Sequence, residues 1–294
     1  MNINYQTLLL LTSMLLASLV SHAQDDLMDL VDDDQGSQPV TATFKGSRVI
    51  LGHSVETRHK HALEFLISHR FGRINSGAHN LFGLDFSNIR LGLEYGITDN
   101  LDFGVGRSSY DKTFDFFLKY KFLQQADGGA PVSMVLFNSL AIKTTPTQEK
   151  DPSYEFNDRL ARVHQLLIAR KFSPNLSLQV MPVWVHKNRV EANDVNDQVA
   201  LGAGGRVKLT QRLALNAEYY YRFDPPANGY TNAFALGFDI ETGGHVFQLH
   251  FTNAVTTIER SFITETGDDF FDGDIHFGFN ISRTFHLGSK GKEW

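Results

Sequence analysis

The sequence predicts an all-β protein: a closed antiparallel transmembrane β-barrel of about twelve strands, with short periplasmic turns and longer outer loops. Three observations predict this fold. Apolar and polar residues alternate with period two from about residue 62 onward. The connections between these runs alternate in length. After residue 23, no stretch approaches the roughly 18 consecutive apolar residues that a transmembrane helix needs.

The alternation is clearest in the second run. Ile89, Leu91 and Leu93 fall on one face of the predicted strand, and Arg90 and Glu94 fall on the other. Similar runs recur along the chain, and counting them gives about twelve. A strand in lipid must present hydrocarbon and pair its whole backbone, which only a closed barrel permits. An even strand count also places both termini in the periplasm.

The connections separate a membrane barrel from a soluble all-β protein with a dry core. Short connections lie near residues 98–100, 124–130, 173–175, 210–212 and 242–244. Mostly longer ones, rich in Asp, Asn and Gly, lie near residues 72–88, 107–112, 144–157, 188–196, 224–230 and 257–272. Short turns at one end and long loops at the other are typical of outer-membrane barrels.

Composition excludes several classes of protein. The chain has 294 residues, of which 42% are hydrophobic and 20% charged, with a net charge of −6. These values argue against a disordered chain and against a basic protein with a nucleic-acid partner. The absence of Cys rules out disulfides, thiolate zinc sites and Cys nucleophiles. No cofactor is predicted.

The domain organisation begins with a targeting segment. Residues 1–23 are predicted to be a signal peptide, because a short apolar run ends at the small residues Ser21 and Ala23. A membrane anchor helix is the alternative. The remaining divisions are an acidic N-terminal periplasmic segment and lead-in at 24–61, the barrel at 62–287 and a C-terminal tail at 288–294.

Several stretches carry a resemblance to a known family. They are Phe44–Thr57, Leu63–Phe65, His69–Gly72, Phe82–Asp85, Ile89–Gly96 and Gly104–Ser108. Together they resemble a domain-of-unknown-function family of Gram-negative outer-membrane β-barrel proteins, over roughly residues 43–287. The resemblance implies the barrel and the outer-membrane compartment. It implies no catalytic residue, substrate or cofactor.

The partners expected of such a barrel are membrane lipid and the barrel-insertion machinery. Barrels often end on an aromatic residue that this machinery reads. Trp294 is terminal but lies outside the last strand's run, so Phe285 or Leu287 is expected to take that role.

The predicted inner face is the main functional feature. It carries charged and amide side chains that we expect to face the lumen: Arg90, Glu94, Asp102, Lys119, Lys121, Arg206, Lys208, Glu218, Arg222 and Asn280. These residues either pair across the lumen and plug it, or line a narrow aqueous path. A twelve-strand barrel is intermediate in width between small filled barrels and wide porins, so its width does not decide between a plugged and an open lumen.

Candidate chemistry elsewhere is weak. His53-Ser54 and Asn138-Ser139 lack the signature of a lipid hydrolase, whose Ser and His would have to meet at the outer rim. His59 and His61 have a workable metal spacing, but solvated histidines are favoured. The acidic run 266–274 suggests calcium, with ordinary loop solvation favoured. We therefore predict no catalytic residue and no metal site.

The functional expectation is a non-enzymatic channel for small polar solutes. The alternative is a membrane-embedded docking or assembly partner that meets periplasmic proteins through residues 24–58. An outer-membrane lipid-modifying enzyme is a third, weaker option.

Cleavage of the targeting segment is directly testable. We expect signal peptidase to cut after Ala23, so that N-terminal sequencing of the outer-membrane protein begins at Gln24. Ala23→Leu should block cleavage because the site requires a small residue, whereas Gln24→Glu should not. Recovery of the wild-type chain starting at Met1 would contradict the assignment.

Overall fold

The structure is a computed structural model that describes residues 37–145, 153–191, 194–223, 229–242 and 245–287. The predicted signal peptide, the acidic run 24–34 and the tail 288–294 lie outside the described residues. The chain divides into two units, 1–38 and 39–294. Of the first unit, only residues 37 and 38 are described.

The second unit contains a barrel of twelve strands. In chain order they are β1 (Ala62–Arg73), β2 (Ser87–Thr98), β3 (Leu101–Ser108), β4 (Phe114–Leu123), β5 (Ser133–Ile142), β6 (Leu160–Lys171), β7 (Leu176–Lys187), β8 (Asp197–Lys208), β9 (Leu213–Arg222), β10 (Phe234–Thr242), β11 (His245–Thr252) and β12 (His276–His286). The two-residue strands Gln38–Pro39 and Ala126–Asp127 are not part of the barrel sheet.

Each strand pairs antiparallel with its neighbours in sequence, and β12 pairs with β1 to close the sheet. At the closure Phe285 lies opposite Leu63, and His286 lies opposite Ala62. Phe285 therefore belongs to the last strand. The first and last strands thus begin and end at the same end of the barrel. The predicted twelve-strand antiparallel barrel is confirmed.

The two faces of the wall differ as the alternation predicts. Along β7, Leu178, Val180 and Trp184 point outward and are 43–46% exposed, whereas Ser177 and Gln179 point inward and are 2% exposed. Outward apolar side chains recur on every strand and form the lipid-facing surface. The inner wall is mixed, because Phe117, Phe137 and Met181 are also buried inside.

The connections alternate as predicted. Those at 99–100, 172–175, 209–212 and 243–244 have two to four residues and define the short-turn end, where the nine-residue connection 124–132 is the exception in length. Those at 74–86, 109–113, 143–159, 188–196, 223–233 and 253–275 define the long-loop end. The loops carry the helix α1 (Glu259–Thr264) and 3₁₀ turns at Ile74–Ser76, Ala78–Gly83, Tyr110–Lys112 and Asn157–Arg159. Within the described ranges, no helix is long and apolar enough to cross a membrane.

The lipid-facing surface predicts a depth-dependent cost for charge. Leu93 and Val207 face outward and are 43% and 42% exposed, but Leu93 lies mid-strand and Val207 lies next to a strand end. We expect Leu93→Arg to lower the free energy of unfolding by about 2–4 kcal/mol and Val207→Arg by about 0–1 kcal/mol. Denaturant titration in lipid bilayers measures both. Equal losses would contradict this placement in the membrane.

Candidate functional site

Two segments of the chain occupy the barrel interior. The first, residues 43–56 (the interior segment), precedes β1 and is buried almost throughout. The second, residues 253–266 (the inner loop), connects β11 to β12 and contains α1. From the sequence, the interior segment was expected to be a periplasmic lead-in, and part of the inner loop was expected in an outer loop. The structure places both inside the wall.

The interior segment folds into a tight hairpin at residues 47–54. The backbone N–H of Val49 donates to the Gly52 carbonyl at 2.9 Å, and that of Ser54 donates to the Ser47 carbonyl at 2.9 Å. Val49, Ile50 and Leu51 form its tip and are 0–2% exposed. Burying each of these side chains contributes about 1.5–3 kcal/mol.

The hairpin tip binds one carboxylate of the wall. Glu218, on β9, accepts hydrogen bonds from the consecutive N–H groups of Ile50, Leu51 and Gly52 at 3.0, 2.7 and 3.0 Å. It also accepts one from the Tyr220 hydroxyl at 2.7 Å. Consecutive backbone N–H groups form a concave anion site. Each hydrogen bond to a charged acceptor contributes about 1.5–3 kcal/mol, so Glu218 is a principal anchor of the hairpin.

Amide side chains on β11 and β12 bind the other side of the tip. Asn280 donates to the Ile50 carbonyl at 2.9 Å, and Gln248 donates to the Val49 carbonyl at 3.0 Å. Asn280 also donates to the Gln248 side chain at 2.8 Å. The two amides therefore form a connected pair that provides hydrogen-bond donors for the buried carbonyls of Val49 and Ile50.

A third contact comes from β7. The Gln179 amide accepts from the Val55 N–H at 3.0 Å and donates to the His53 carbonyl at 2.8 Å. On β1, Glu64 accepts from the Ser47 hydroxyl at 2.7 Å. The hairpin and Val55 are thus hydrogen-bonded to β1, β7, β9, β11 and β12, which fixes the position of the hairpin.

The inner loop packs on the hairpin and completes the filling. Arg48 lies 2.6 Å from the Glu259 carboxylate, and both side chains are at most 5% exposed. Arg222, on β9, donates to the Thr264 carbonyl at 3.0 Å. The rings of Tyr220 and Phe262 meet edge to face at 5.1 Å. The two interior segments therefore hold each other as well as the wall.

Three of the predicted charged residues on β2 and β4, namely Arg90, Glu94 and Lys119, take part in ion pairs within the wall. Arg90 donates from Nε to Asp115 at 2.9 Å, and Lys119 lies 3.4 Å from Glu94. Lys119 also donates to the Glu56 carbonyl of the interior segment. All four wall side chains are at most 5% exposed, and buried charges require such pairing.

The remaining predicted residues lie nearer the short-turn end. The Asp102 carboxylate accepts from the Arg58 N–H at 2.9 Å. Arg206 lies 4.0 Å from Asp239. Lys121 and Lys208 are half-buried, and neither forms an ion pair with any of the residues that the structure describes. The sequence leaves open whether these residues pair across the lumen and plug it or line an aqueous path. In the structure the charges pair along the wall, and the interior segment and the inner loop fill the lumen.

Two cavities lie at opposite ends of the barrel. One of about 390 Å³ lies at the long-loop end, between the loops and the inner loop. One of about 680 Å³ lies at the short-turn end, where the interior segment enters. The hairpin and α1 lie between them.

The candidate hydrolase residues do not form a triad. His53 is fully buried between the rings of Phe117 and Phe137, and the Ser54 hydroxyl donates to the Gly46 carbonyl at 2.6 Å. Asn138 hydrogen-bonds His164 on the outward face, whereas Ser139 points inward.

One Ser and one His do meet on the outward face near the long-loop end. The Ser87 hydroxyl lies 2.9 Å from His69 Nε2. The sequence pattern did not single out Ser87. The other ring nitrogen of His69 has no hydrogen-bond partner among the described residues, so the pair lacks the orienting Asp or Asn of a triad.

The metal hypotheses find other partners for their residues. His59 lies 3.4 Å from Asp99, and His61 lies 2.9 Å from the Tyr95 hydroxyl. Within the described ranges, no three His, Asp or Glu side chains converge on a common metal position.

In the acidic loop, Asp268 binds Arg73 and His276. Burial opposes ionisation of Asp268, but the hydrogen bonds from His276 and Arg73 outweigh it and hold its pKa below the ordinary value. Asp274 lies 3.3 Å from Arg73 and accepts from Asn75 at 2.9 Å. These two carboxylates therefore have partners in the protein itself.

Comparison with known families identifies the domain. The family described as a membrane bound beta barrel domain, DUF5777, matches residues 44–285. The chain belongs to this family. The matched region begins at Phe44, so the DUF5777 domain includes the interior segment as well as the twelve strands. The protein lies in the bacterial outer membrane.

Solved structures resemble the barrel at low identity. The KdgM porin is 9% identical with a TM-score of 0.46, over 76% of this chain and 99% of that one. The NanC porin is 8% identical with a TM-score of 0.48, over 76% and 100%. A Rhodopseudomonas blastica porin variant is 10% identical with a TM-score of 0.34, over 67% and 55%. No curated protein matches the sequence.

The hairpin tip requires glycine at one position. A Cβ at Gly52 would lie 1.9 Å from the Tyr220 hydroxyl and 2.8 Å from Glu218, whereas a Cβ at Gly46 would meet nothing within 4 Å. We expect Gly52→Ala to displace the tip at a cost of about 1–3 kcal/mol. Gly46→Ala is the matched control.

Amide hydrogen exchange of residues 49–55 measures this displacement. Exchange should accelerate in Gly52→Ala and stay at the wild-type rate in Gly46→Ala. Identical protection in both variants would contradict the anchoring role of Glu218.

Proposed function

We propose that this protein is a non-enzymatic channel for small polar solutes that is closed at rest, with the interior segment as its gate. The observation that supports the proposal is that polar side chains of the wall hold the hairpin. Glu218, Asn280, Gln248 and Gln179 hold it through hydrogen bonds that water can replace. When the hairpin leaves, these wall groups become a hydrophilic lining.

The topology also favours a movable interior segment. Residues 43–56 precede β1 and contribute no strand to the barrel, so their departure breaks no hydrogen bond between strands. The inner loop is tied to β11 and β12 at its two ends and would remain as a constriction. A narrow remaining passage suits small solutes.

The non-enzymatic part of the proposal rests on the geometry of the outward face. Among the described residues, the Ser87–His69 pair has no orienting third group. The His164–Asn138 pair includes no serine.

The docking alternative keeps one supporting observation. At the short-turn end, the Val40 N–H donates to the Gln125 carbonyl at 2.8 Å, and Lys171 donates to the Thr41 carbonyl at 2.9 Å. Residues 24–58 are the segment proposed to meet periplasmic proteins. Within it, the part that precedes the interior segment is therefore the candidate binding site for a partner. A partner bound there would act on the gate. We likewise propose that the barrel binds the barrel-insertion machinery.

A disulfide across the gate tests the channel. A Cβ at Gly204, on β8, would lie 3.1 Å from a Val49 methyl group, within reach of a disulfide between Val49→Cys and Gly204→Cys. The chain has no other Cys. In planar bilayers, we expect the oxidised double variant to stay closed and to regain wild-type openings on reduction. The single variant Val49→Cys is the control.

Deletion of residues 43–56 should give the opposite result, a persistently open barrel. The deletion variant must first show the heat-modifiable migration of a folded barrel. A folded deletion variant without conductance, or a locked variant that conducts like wild type, would overturn the channel.

A further inference from the structure

The cavity at the long-loop end has the size of a small-molecule site. Its volume is about 390 Å³, near the lower end of the roughly 300–1,000 Å³ usual for such sites. Side chains from the loops after β3, β5, β7, β9 and β11 line it. If the barrel is a channel, this cavity is its outer mouth, so a ligand site there rests on the proposed function.

The floor of the cavity is a buried network of paired charges. Lys187 lies 3.0 Å from Asp194 and 3.5 Å from Glu265, and Glu265 also binds Arg260. These four lining side chains are 3–11% exposed and sum to zero charge, and Arg222, which does not line the cavity, lies 3.8 Å from Asp194. Burial opposes ionisation of Glu265, but the nearby charges of Arg260, Lys143 and Lys187 outweigh it and keep its pKa below the ordinary value. The floor therefore consists of charged side chains that are held in contact with one another.

The walls repeat this balance. Lys143 lies 2.9 Å from Asp111, and Arg189 lies 3.2 Å from Asp158. The remaining charged lining residues, Arg159 and Glu191, are again one of each sign. A net-charged solute would be attracted by one partner of each pair and repelled by the other, so its electrostatic gain is small. Hydroxyl groups can donate to the carboxylates and accept from the cations without breaking a pair.

Three tyrosines complete the lining: Tyr110, Tyr154 and Tyr230. The Tyr154 ring lies 5.2 Å from the Arg189 guanidinium of the neighbouring loop and 5.9 Å from the Arg159 guanidinium of its own loop. Burial and the nearby carboxylates raise the pKa of Tyr230 to about 12, so its hydroxyl remains a donor. Aromatic rings that end in a hydroxyl offer both an apolar face and a polar tip.

The geometry points to a binding site for neutral carbohydrates of mono- or disaccharide size in this outer cavity. A sugar ring has an apolar C–H face that packs on tyrosine and a rim of hydroxyls that hydrogen-bond paired charges. Tyr154 would bear the ring, and the Lys187–Asp194–Glu265 floor would bind the hydroxyls.

Calorimetric titration of the full-length protein in detergent tests the site. The neutral probes are glucose, galactose, maltose, lactose and cellobiose. Their charged counterparts are glucuronate, galacturonate and glucosamine. We expect saturable binding of at least one neutral sugar and about tenfold weaker binding of its charged counterparts. Binding by none of the neutral sugars, or equal or tighter binding of the charged ones, would overturn the inference.

Two variants locate the binding. Tyr154→Ala should weaken the affinity for the bound sugar about tenfold, as loss of a stacking ring predicts. Phe156→Ala removes a 62%-exposed ring of the same loop that does not line the cavity, and it should bind like wild type. Equal effects of the two variants would place the sugar elsewhere and reject this site.

The sugar-binding proposal and the channel proposal can be rejected independently of each other. Sugar binding without conductance in the gate-deletion variant would keep the site and reject the channel. Conductance without sugar binding would keep the channel and reject the site.

Discussion

Lipid offers no hydrogen bonds to a backbone, and the whole structure follows from that constraint. A strand in the bilayer must pair along both edges, so the sheet closes where Phe285 meets Leu63. Successive side chains of a strand point to opposite faces of the sheet, and closure turns one face toward lipid and the other toward the interior. The outward set is hydrocarbon, as Leu178 and Val180 show. Every strand therefore also carries an inward set, which needs either water or protein as its partner.

The inward polar groups fall into two populations. Arg90 with Asp115 and Lys119 with Glu94 pair within the wall and keep each other when the interior segment moves. Glu218, by contrast, uses backbone groups of the hairpin as partners. A buried group without a partner is costly, so these positions require either the hairpin or water. Movement of the hairpin is thus coupled to wetting of the interior.

The fold could be predicted because its signal is local and repeated. Runs such as Ile89–Leu93 report their own orientation through period-two alternation, and the lengths of the connections report the topology. The inward direction of Arg90 follows from the same period. Its partner Asp115 does not, because register between strands is a property of the closed sheet.

The filling of the interior could not be predicted in the same way. Residues 43–56 are non-repetitive, and their partners lie about 170 positions away along the chain, as the bond from Leu51 to Glu218 illustrates. One signal was available. Val49-Ile50-Leu51 is an apolar run in a segment assigned to solvent, and glycines flank it. Such a run favours burial, and the lumen of the predicted barrel is a space that could bury it. The burial of the inner loop was harder to predict from the sequence, because Glu259 and Arg260 resemble exposed loop charges.

The position of the hairpin at the start of the chain has a consequence in time. Its binding partners on β7, β9, β11 and β12 are all made and translocated after it. The hairpin therefore lacks these hydrogen-bond partners until the last strands have been translocated. It must be enclosed as the seam between β12 and β1 forms, or threaded in through the short-turn end afterwards. Either way, the first part of the domain to be synthesised is among the last to reach its native place.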